Sequence, residues 1–402
     1  MIKVLHTADW HLGHQLYGFD RTVEQRDFLL QLKDVVAEER PDVMVVSGDI
    51  FNTAMPSNAV AGLYTGALLA IHEACPQMRM VVTAGNHDSA SRLEIDRNLW
   101  ELAGVQVIGS FEKVEDKLSI EKNIMEICDA EGVIMGYVAA VPYSHPYNFP
   151  IVSDTVSREE RQREFFRYLL SQLSERNTGH LPVVLMAHLT VSGSNTEGHN
   201  FTAGGLDSMP LEDFGDGYDY LALGHIHMPQ TMAGKARYAG SPVQVDFDEH
   251  YTHSVSLVSL EAGKEPVVEV REIRNTRPLL TVPRDPMPFE EALQYALGHL
   301  TKEEPGYLRL NVSGDLPTDA AERVSQAFEG YSIRYCTIKR TAELQQTDRS
   351  VYADLTLDEM NALSPLEVAH QYYSDKFGEP MPEELSEIFS VALKSIEEEV
   401  QE

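Results

Sequence analysis

Five short, β-rich runs recur through the first two-thirds of the chain, and each ends in a polar cluster. They are Lys3–Thr7, Val43–Ser47, Met80–Thr83, Val183–Ala187 and Tyr220–Leu223. Runs of this length and composition suit buried strands. Between them lie helix-length stretches. In Val23–Arg40, Phe28, Leu29, Leu32, Val35 and Val36 recur at helical spacing before Pro41 closes the segment. Strands alternating with helices dictate an α/β layered core. The terminal clusters are Ala8-Asp9-Trp10-His11, Gly48-Asp49, Gly85-Asn86-His87-Asp88, His188 and Gly224-His225-Ile226-His227. They gather at the C-terminal edge of the strands, where α/β sheets bind ligands.

Asp9, His11, Asp49, Asn86, His188, His225 and His227 mix imidazoles, carboxylates and one amide. Seven such groups are too many for one tetrahedral zinc. They are enough for two ions sharing a bridging carboxylate, and Asp49, following Gly48 at a strand end, is the natural bridge. Paired ions of this kind clamp a phosphoryl group between them. Two divalent cations against two carboxylates leave the cluster net positive, which draws a phosphodiester. Mixed imidazole and carboxylate donors suit manganese, iron or zinc better than calcium or magnesium. If the backbone stays extended at Asp9-x-His11 and His225-x-His227, each pair points to one side. Gly85 and Gly224 let the turns approach the ions. A single strand-end histidine is usually a core or surface residue, and Asp49 alone reads as a helix N-cap. The joint set carries the reading.

Lys plus Arg number 32 against 63 Asp plus Glu, a formal net charge of -31. Such a chain repels nucleic acid and anionic membrane in bulk. Any DNA chemistry must therefore run through a local patch, bound metal or a partner. Cys75, Cys128 and Cys336 are few, odd in number and far apart, which fits a reducing compartment and no disulfide framework. The N-terminus lacks a signal-peptide core and no long apolar run occurs. A cytoplasmic protein with no membrane span is expected.

Near residue 275 the texture changes. Leu279–Val282, Phe289–Leu300, Tyr307–Val312, Thr318–Phe328 and Ser332–Lys339 read strand, helix, strand, helix, strand. Arg271, Arg274, Arg277, Arg334, Lys339 and Arg340 give this part some positive charge, as a DNA-facing patch or a solvated face. Ala342–Tyr352 reads as a linker. Residues 354–402 carry 13 acidic and 2 basic side chains, yet keep an apolar stripe wider than two short helices can hide against each other. Ser364-Pro365-Leu366-Glu367 opens the first of these helices with a capping box.

Asp9-Trp10-His11-Leu12-Gly13, Gly48-Asp49-Ile50-Phe51, Gly85-Asn86-His87-Asp88 and Gly224-His225-x-His227, in this order, resemble the calcineurin-like metallophosphoesterase superfamily. The opening His6–Gly13 stretch, Asn52 and the Ser364–Glu367 helix narrow the resemblance to the SbcD family, bacterial double-strand-break repair nuclease subunits. It covers essentially the whole chain. It implies a four-layer α/β/β/α sandwich over residues 1–274, a small α+β capping (DNA-recognition) domain over 275–345 and C-terminal helices over 354–402 that bind an ATPase partner. It implies two divalent ions, with Mn(2+) the expected metal. Asp9, His11, Asp49 and His227 would hold one; Asp49, Asn86, His188 and His225 the other. His87 is the implied catalytic group, stabilising the transition state or protonating the leaving 3′ oxygen, and Asp88 orients it through a hydrogen bond.

The activity so implied is manganese-dependent hydrolysis of DNA in repair, recombination and replication. It comprises 3′→5′ exonuclease action on double strands and endonuclease action on single strands and hairpins. ATP dependence comes through an SbcC-like ATPase with a coiled coil, in an SbcCD complex where this chain is a homodimer within a heterotetramer, at the cytoplasmic nucleoid. Pro56–Ala74 is a candidate dimer helix, although core burial explains its apolar residues equally well. The alternative is a stand-alone metallophosphoesterase acting on small phosphodiesters or nucleotides, which has no need of the long C-terminal extension. A non-catalytic scaffold is a third reading, opposed by the complete ligand set.

Overall fold

The fold is seen in a computed structural model that describes residues 1–115, 117–153, 157, 160–196 and 208–341, with scattered positions between 366 and 389. Its main strands, in chain order, are β1 (Ile2–Thr7), β2 (Val43–Ser47), β3 (Arg79–Thr83), β4 (Val105–Ile108), β5 (Ile124–Cys128), β6 (Ile134–Ala140), β7 (Val183–His188), β8 (Tyr220–Gly224), β9 (Gln230–Met232), β10 (Ala236–Tyr238), β11 (Ser254–Leu260) and β12 (Val267–Glu272). They form two six-stranded sheets, ordered β12-β11-β1-β2-β3-β4 and β9-β10-β8-β7-β6-β5. The five sequence runs are β1, β2, β3, β7 and β8, shared between the sheets instead of lined up in one. Within each sheet these strands pair in parallel, so their C-terminal ends point the same way.

Side-chain alternation builds four layers. Val43 and Val45 of β2 pack against Val184 and Met186 of β7 in the middle of the sandwich. Met44 and Val46 face outward onto α1 (Thr22–Glu39) and α2 (Asn58–Ala74), meeting Phe28, Leu32, Leu68 and Ile71. On the other side Val183, Leu185 and Ala187 meet Phe165, Phe166 and Leu169 of α3 (Arg161–Arg176). Strands buried on both faces carry no polar alternation, which is why they read as short unbroken apolar runs. Helix α1 stops at Arg40, in the left-handed conformation, immediately before Pro41.

The segment after residue 275 folds as β13 (Leu279–Pro288), α4 (Phe289–His299), β14 (Gly306–Ser313), α5 (Ala320–Ala327) and β15 (Ile333–Thr341). The three strands pair in parallel in the order β13-β14-β15, so each helix is a crossover. Phe289, Leu293, Leu308, Leu310, Val324 and Ile333 make its own core. Met1–Thr341 nevertheless forms one compact unit. Tyr307 Oη donates to Glu24 of α1 at 2.6 Å, and Tyr307 shares an apolar cluster with Leu16, Phe247 and Leu279.

Most of the basic residues singled out in this region have acidic or aromatic partners. Arg271 holds Glu39 at 2.6 Å, Arg340 holds Asp315 at 2.9 Å and Lys339 holds Asp248 at 3.1 Å. Arg334 lies over the ring of Phe19. Residues 342–402 are a separate unit. Leu366, His370, Tyr373, Ser374, Leu385, Ser386 and Phe389 are helical there, and His370 Nε2 pairs with Ser386 Oγ at 2.7 Å. The expected linker and the remainder of the 354–402 helices lie outside the described residues. Among the described residues no helix is long and apolar enough to cross a membrane.

Candidate metal centre

Each candidate donor sits at or just beyond a strand end, where the backbone turns sharply. Asp9, His11, Asp49 and His225 have φ of 53°, 44°, 51° and 97°. A β-carbon disfavours that region, and holding such residues there costs on the order of 1–3 kcal/mol each. This corrects the expectation that Asp9-x-His11 and His225-x-His227 converge along extended backbone. The convergence comes from left-handed turns that swing each side chain back over its strand. The turns are tied together: Asp9 N–H donates to the Gly48 carbonyl and His11 N–H to the Asp49 carbonyl, both at 3.0 Å. A β-carbon at Gly224 would run into the Ser47 carbonyl oxygen, so only glycine lets the two sheets meet this closely.

All seven proposed donors come together. Ligand atoms of Asp9, His11 and His227 lie within 4.8 Å of one another, as do those of Asp9, Asp49 and His188 and those of His11, Asp49 and His87. Asp49 Oδ2 stands 3.7 Å from His11 Nε2 and 3.5 Å from His188 Nε2, between the two groups. Asn86 Oδ1 stands 3.0 Å from both His188 Nε2 and His225 Nδ1. Asp9, Asp49 and His188 are all but excluded from solvent.

Tautomers decide what this cluster holds. His188 Nδ1 donates to the Ser47 carbonyl at 2.7 Å, and His227 Nδ1 donates to Glu249 Oε1 at 2.8 Å. In the neutral rings the Nε2 lone pairs are therefore left facing inward. One meets Asn86 Oδ1; the other meets His11 Nε2 at 3.1 Å. Lone pairs at such distances repel unless a proton or a cation sits between them. Donor atoms on adjacent corners of a coordination shell with bonds of about 2.1 Å stand about 3 Å apart, so the spacing fits divalent ions. Without ions the protein must supply protons. Burial pulls the His188 imidazole down, yet Asp49 and Asp9 outweigh it and raise it to about 9. Burial likewise opposes charge on His227, but Glu249 raises it. Burial pushes the Asp9 carboxyl up to about 6. Asp49 is held far below the usual carboxylate range by His188, His11 and His87 despite its burial.

His87 borders the cluster, its ring 5.0 Å from that of His11. Its Nδ1 donates to the Asn52 carbonyl at 3.0 Å, and its backbone N–H donates to Asp49 Oδ1 at 2.9 Å. Asp88 does not make the expected bond to His87. Its carboxylate instead accepts the backbone N–H groups of Gly85 at 2.8 Å, Phe51 at 2.9 Å and Ile50 at 3.1 Å, pinning the Asn86 loop to the Asp49 turn. The reason is geometric: three convergent backbone donors outcompete one neighbouring ring. Burial raises this carboxyl to about 7.

Three partners were invisible in the sequence. The Ser47 and Asn52 carbonyls are backbone atoms and leave no trace in residue type. Glu249 lies 22 residues beyond His227 in the irregular stretch Gln244–Glu249, where Asp246 and Asp248 are equally acidic.

A four-layer sandwich with this set of inward donors at its strand ends defines the class, a metal-dependent phosphoesterase. Residues 2–229 match the calcineurin-like phosphoesterase family, and residues 275–377 match a family described as the type 5 capsule protein repressor C-terminal domain. The SbcD component of the nuclease SbcCD from Rhodobacter capsulatus is 31% identical over 351 residues, covering 83% of this chain and 86% of that protein. The Escherichia coli K12 protein of the same name is 26% identical over 98% of both chains, and that of Bacillus subtilis 31% identical over 69% of this chain and 71% of its own. The chain belongs to the calcineurin-like phosphoesterases and, within them, to the SbcD family, and it is a metal-dependent nuclease.

Proposed function

We propose that this chain is the nuclease subunit of an SbcCD-type complex that hydrolyses DNA phosphodiesters with two manganese ions. The observation that carries the reading is the convergence of the seven donors around Asp49, with His11 and His227 nitrogens 3.1 Å apart on one side and His188 Nε2 3.0 Å from Asn86 Oδ1 on the other. Asp9, His11, Asp49 and His227 would hold one ion, and Asp49, Asn86, His188 and His225 the other. Ions held there supply an activated water and neutralise charge on the phosphoryl group. The chain's own residues do the rest. His188 and His227 donate outward through Nδ1, so their Nε2 atoms face inward and would give a bound ion their lone pairs once deprotonated. His87, fixed through Nδ1 by Asn52, presents Nε2 to protonate the departing 3′ oxygen. Asp88 keeps Asn86 and His87 beside Asp49 by holding their loop.

The finer assignments are 3′→5′ exonuclease action on double strands and endonuclease action on single strands and hairpins. They also include ATP dependence through an SbcC-like coiled-coil ATPase docking on 354–402, a recognition role for 275–345, and a homodimer within a heterotetramer at the cytoplasmic nucleoid. The net charge of -31 supports a division of labour in which the partner supplies most of the grip on DNA. The test is degradation of a linear duplex and of a chromogenic diester by the purified chain, with manganese or with chelator, alone and with the ATPase. Manganese-dependent loss of the duplex supports the proposal. Turnover of the small diester alone, with DNA untouched even when the ATPase is present, would favour a stand-alone phosphoesterase.

A further inference from the structure

Two adjacent side chains of one segment reach in opposite directions. Glu249 is buried, at 2% exposure, and accepts from His227 Nδ1 at 2.8 Å; its other oxygen accepts the Val245 N–H at 2.8 Å. Asp248 accepts from Arg309 Nη2 at 2.6 Å and from Lys339 Nζ at 3.1 Å, cations of β14 and β15. The same segment meets the cap again where the Leu279 N–H, at the start of β13, donates to Gln244 Oε1 at 3.3 Å. Gln244 Nε2 in turn donates to the Glu249 carbonyl at 3.2 Å. Residues 243–249 contain no strand or helix. Their path is set by these grips, with the cap holding one side and the imidazole held on the other.

We propose that the strap Val243–Glu249 couples the seating of the 279–341 cap to the His227 imidazole, with Glu249 as the positioning residue. This deepens, and rests on, the reading of His227 as a metal ligand. A carboxylate on the outer nitrogen of a ligating imidazole fixes the ring and strengthens its inner nitrogen as a donor, and losing it costs about 10–100-fold in metal affinity. A cap that releases Asp248 frees the residue next to Glu249. The ring then loses part of its restraint without any change among the ligands themselves.

The experiment is calorimetric titration of manganese(II) into the full chain, with paramagnetic resonance of the bound ion and thermal melts alongside. The variants are Glu249→Gln, Arg309→Met and Lys339→Met. The wild type is expected to take two ions. Glu249→Gln weakens one of them by about 10–100-fold. The two cap variants weaken that same ion by about 5-fold or more and leave the other unchanged. Lys339 is about half exposed, whereas Arg309 is buried, so Lys339→Met keeps the test decisive if Arg309→Met does not fold. Two ions bound with wild-type affinity by both cap variants would overturn the coupling while leaving the metal centre standing. A wild type that binds no manganese would overturn the metal reading and the coupling with it.

Discussion

Replacing His87 by alanine separates chemistry from architecture at this site. The ring is half-buried, and among the described residues its side-chain hydrogen bond runs to the Asn52 carbonyl at 3.0 Å. Water can replace that bond, so the stability lost is about 0.5–1.5 kcal/mol, a drop in melting temperature of no more than about 6 °C. The loop keeps its place. The residue-87 backbone N–H still donates to Asp49, and Asp88 still collects its three backbone donors. None of the seven donors is touched, so two manganese ions should still bind. If His87 Nε2 delivers the proton to the leaving oxygen, its loss removes about 10²–10⁴ in rate, equivalent to about 2.7–5.4 kcal/mol of barrier. The assay is single-turnover cleavage of an end-labelled duplex, with metal content and melting temperature measured on the same preparation. Activity within about threefold of wild type would refute the role. So would loss of a metal ion together with activity, because His87 would then be a ligand.

The same geometry makes three further outcomes checkable. Manganese binding at pH 7 should release protons, since the metal-free cluster keeps His188 raised to about 9 and His227 raised as well; affinity should climb as pH rises toward 9, and calorimetry in buffers of different ionisation enthalpy that shows no proton release would contradict this. Gly224→Ala drives a β-carbon against the Ser47 carbonyl that orients His188; it should cost about 1–3 kcal/mol in denaturant melts and reduce manganese binding, whereas wild-type values for both would show that the sheets can part freely. Arg309 and Lys339 hold the Asp248 carboxyl down at about 2, so its ion pairs stabilise the fold above pH 4 and are lost as pH falls through 2; Asp248→Asn should cost about 1 kcal/mol at pH 7, because Asp248 is part-exposed even though Arg309 is buried, and the difference should shrink through pH 2 and vanish below it, in urea melts across that range.

The strands and their polar ends were legible because burial on both faces leaves a distinctive mark: Val43–Ser47 and Val183–His188 contain no solvent-facing position to interrupt them. The segment after residue 275 was legible element by element because each helix and strand there packs one face on a private core. The donors announced themselves by residue type. The way they converge did not, because left-handed backbone at Asp9, His11, Asp49 and His225 is imposed by tertiary contacts that override local preference. Neither did the distribution of the five strands over two sheets, which rests on pairing between distant segments. The partners of Asp88 are illegible in the sequence for a related reason. A carboxylate next to a histidine in sequence suggests a dyad, but besides the nearby Gly85 N–H the donors that claim it come from a turn 37 and 38 residues away. Glu249 acts through a segment without periodicity, so no pattern distinguishes it from its acidic neighbours.

Everything proposed for the site depends on two divalent ions sharing Asp49. The direct measurement is anomalous diffraction at the manganese edge from crystals of the full chain grown with manganese(II). Two peaks are expected about 3.5–4 Å apart, with Asp49 between them, His11 and His227 on one side and Asn86, His188 and His225 on the other. A single peak, or a pair lying away from Asp49, would contradict it.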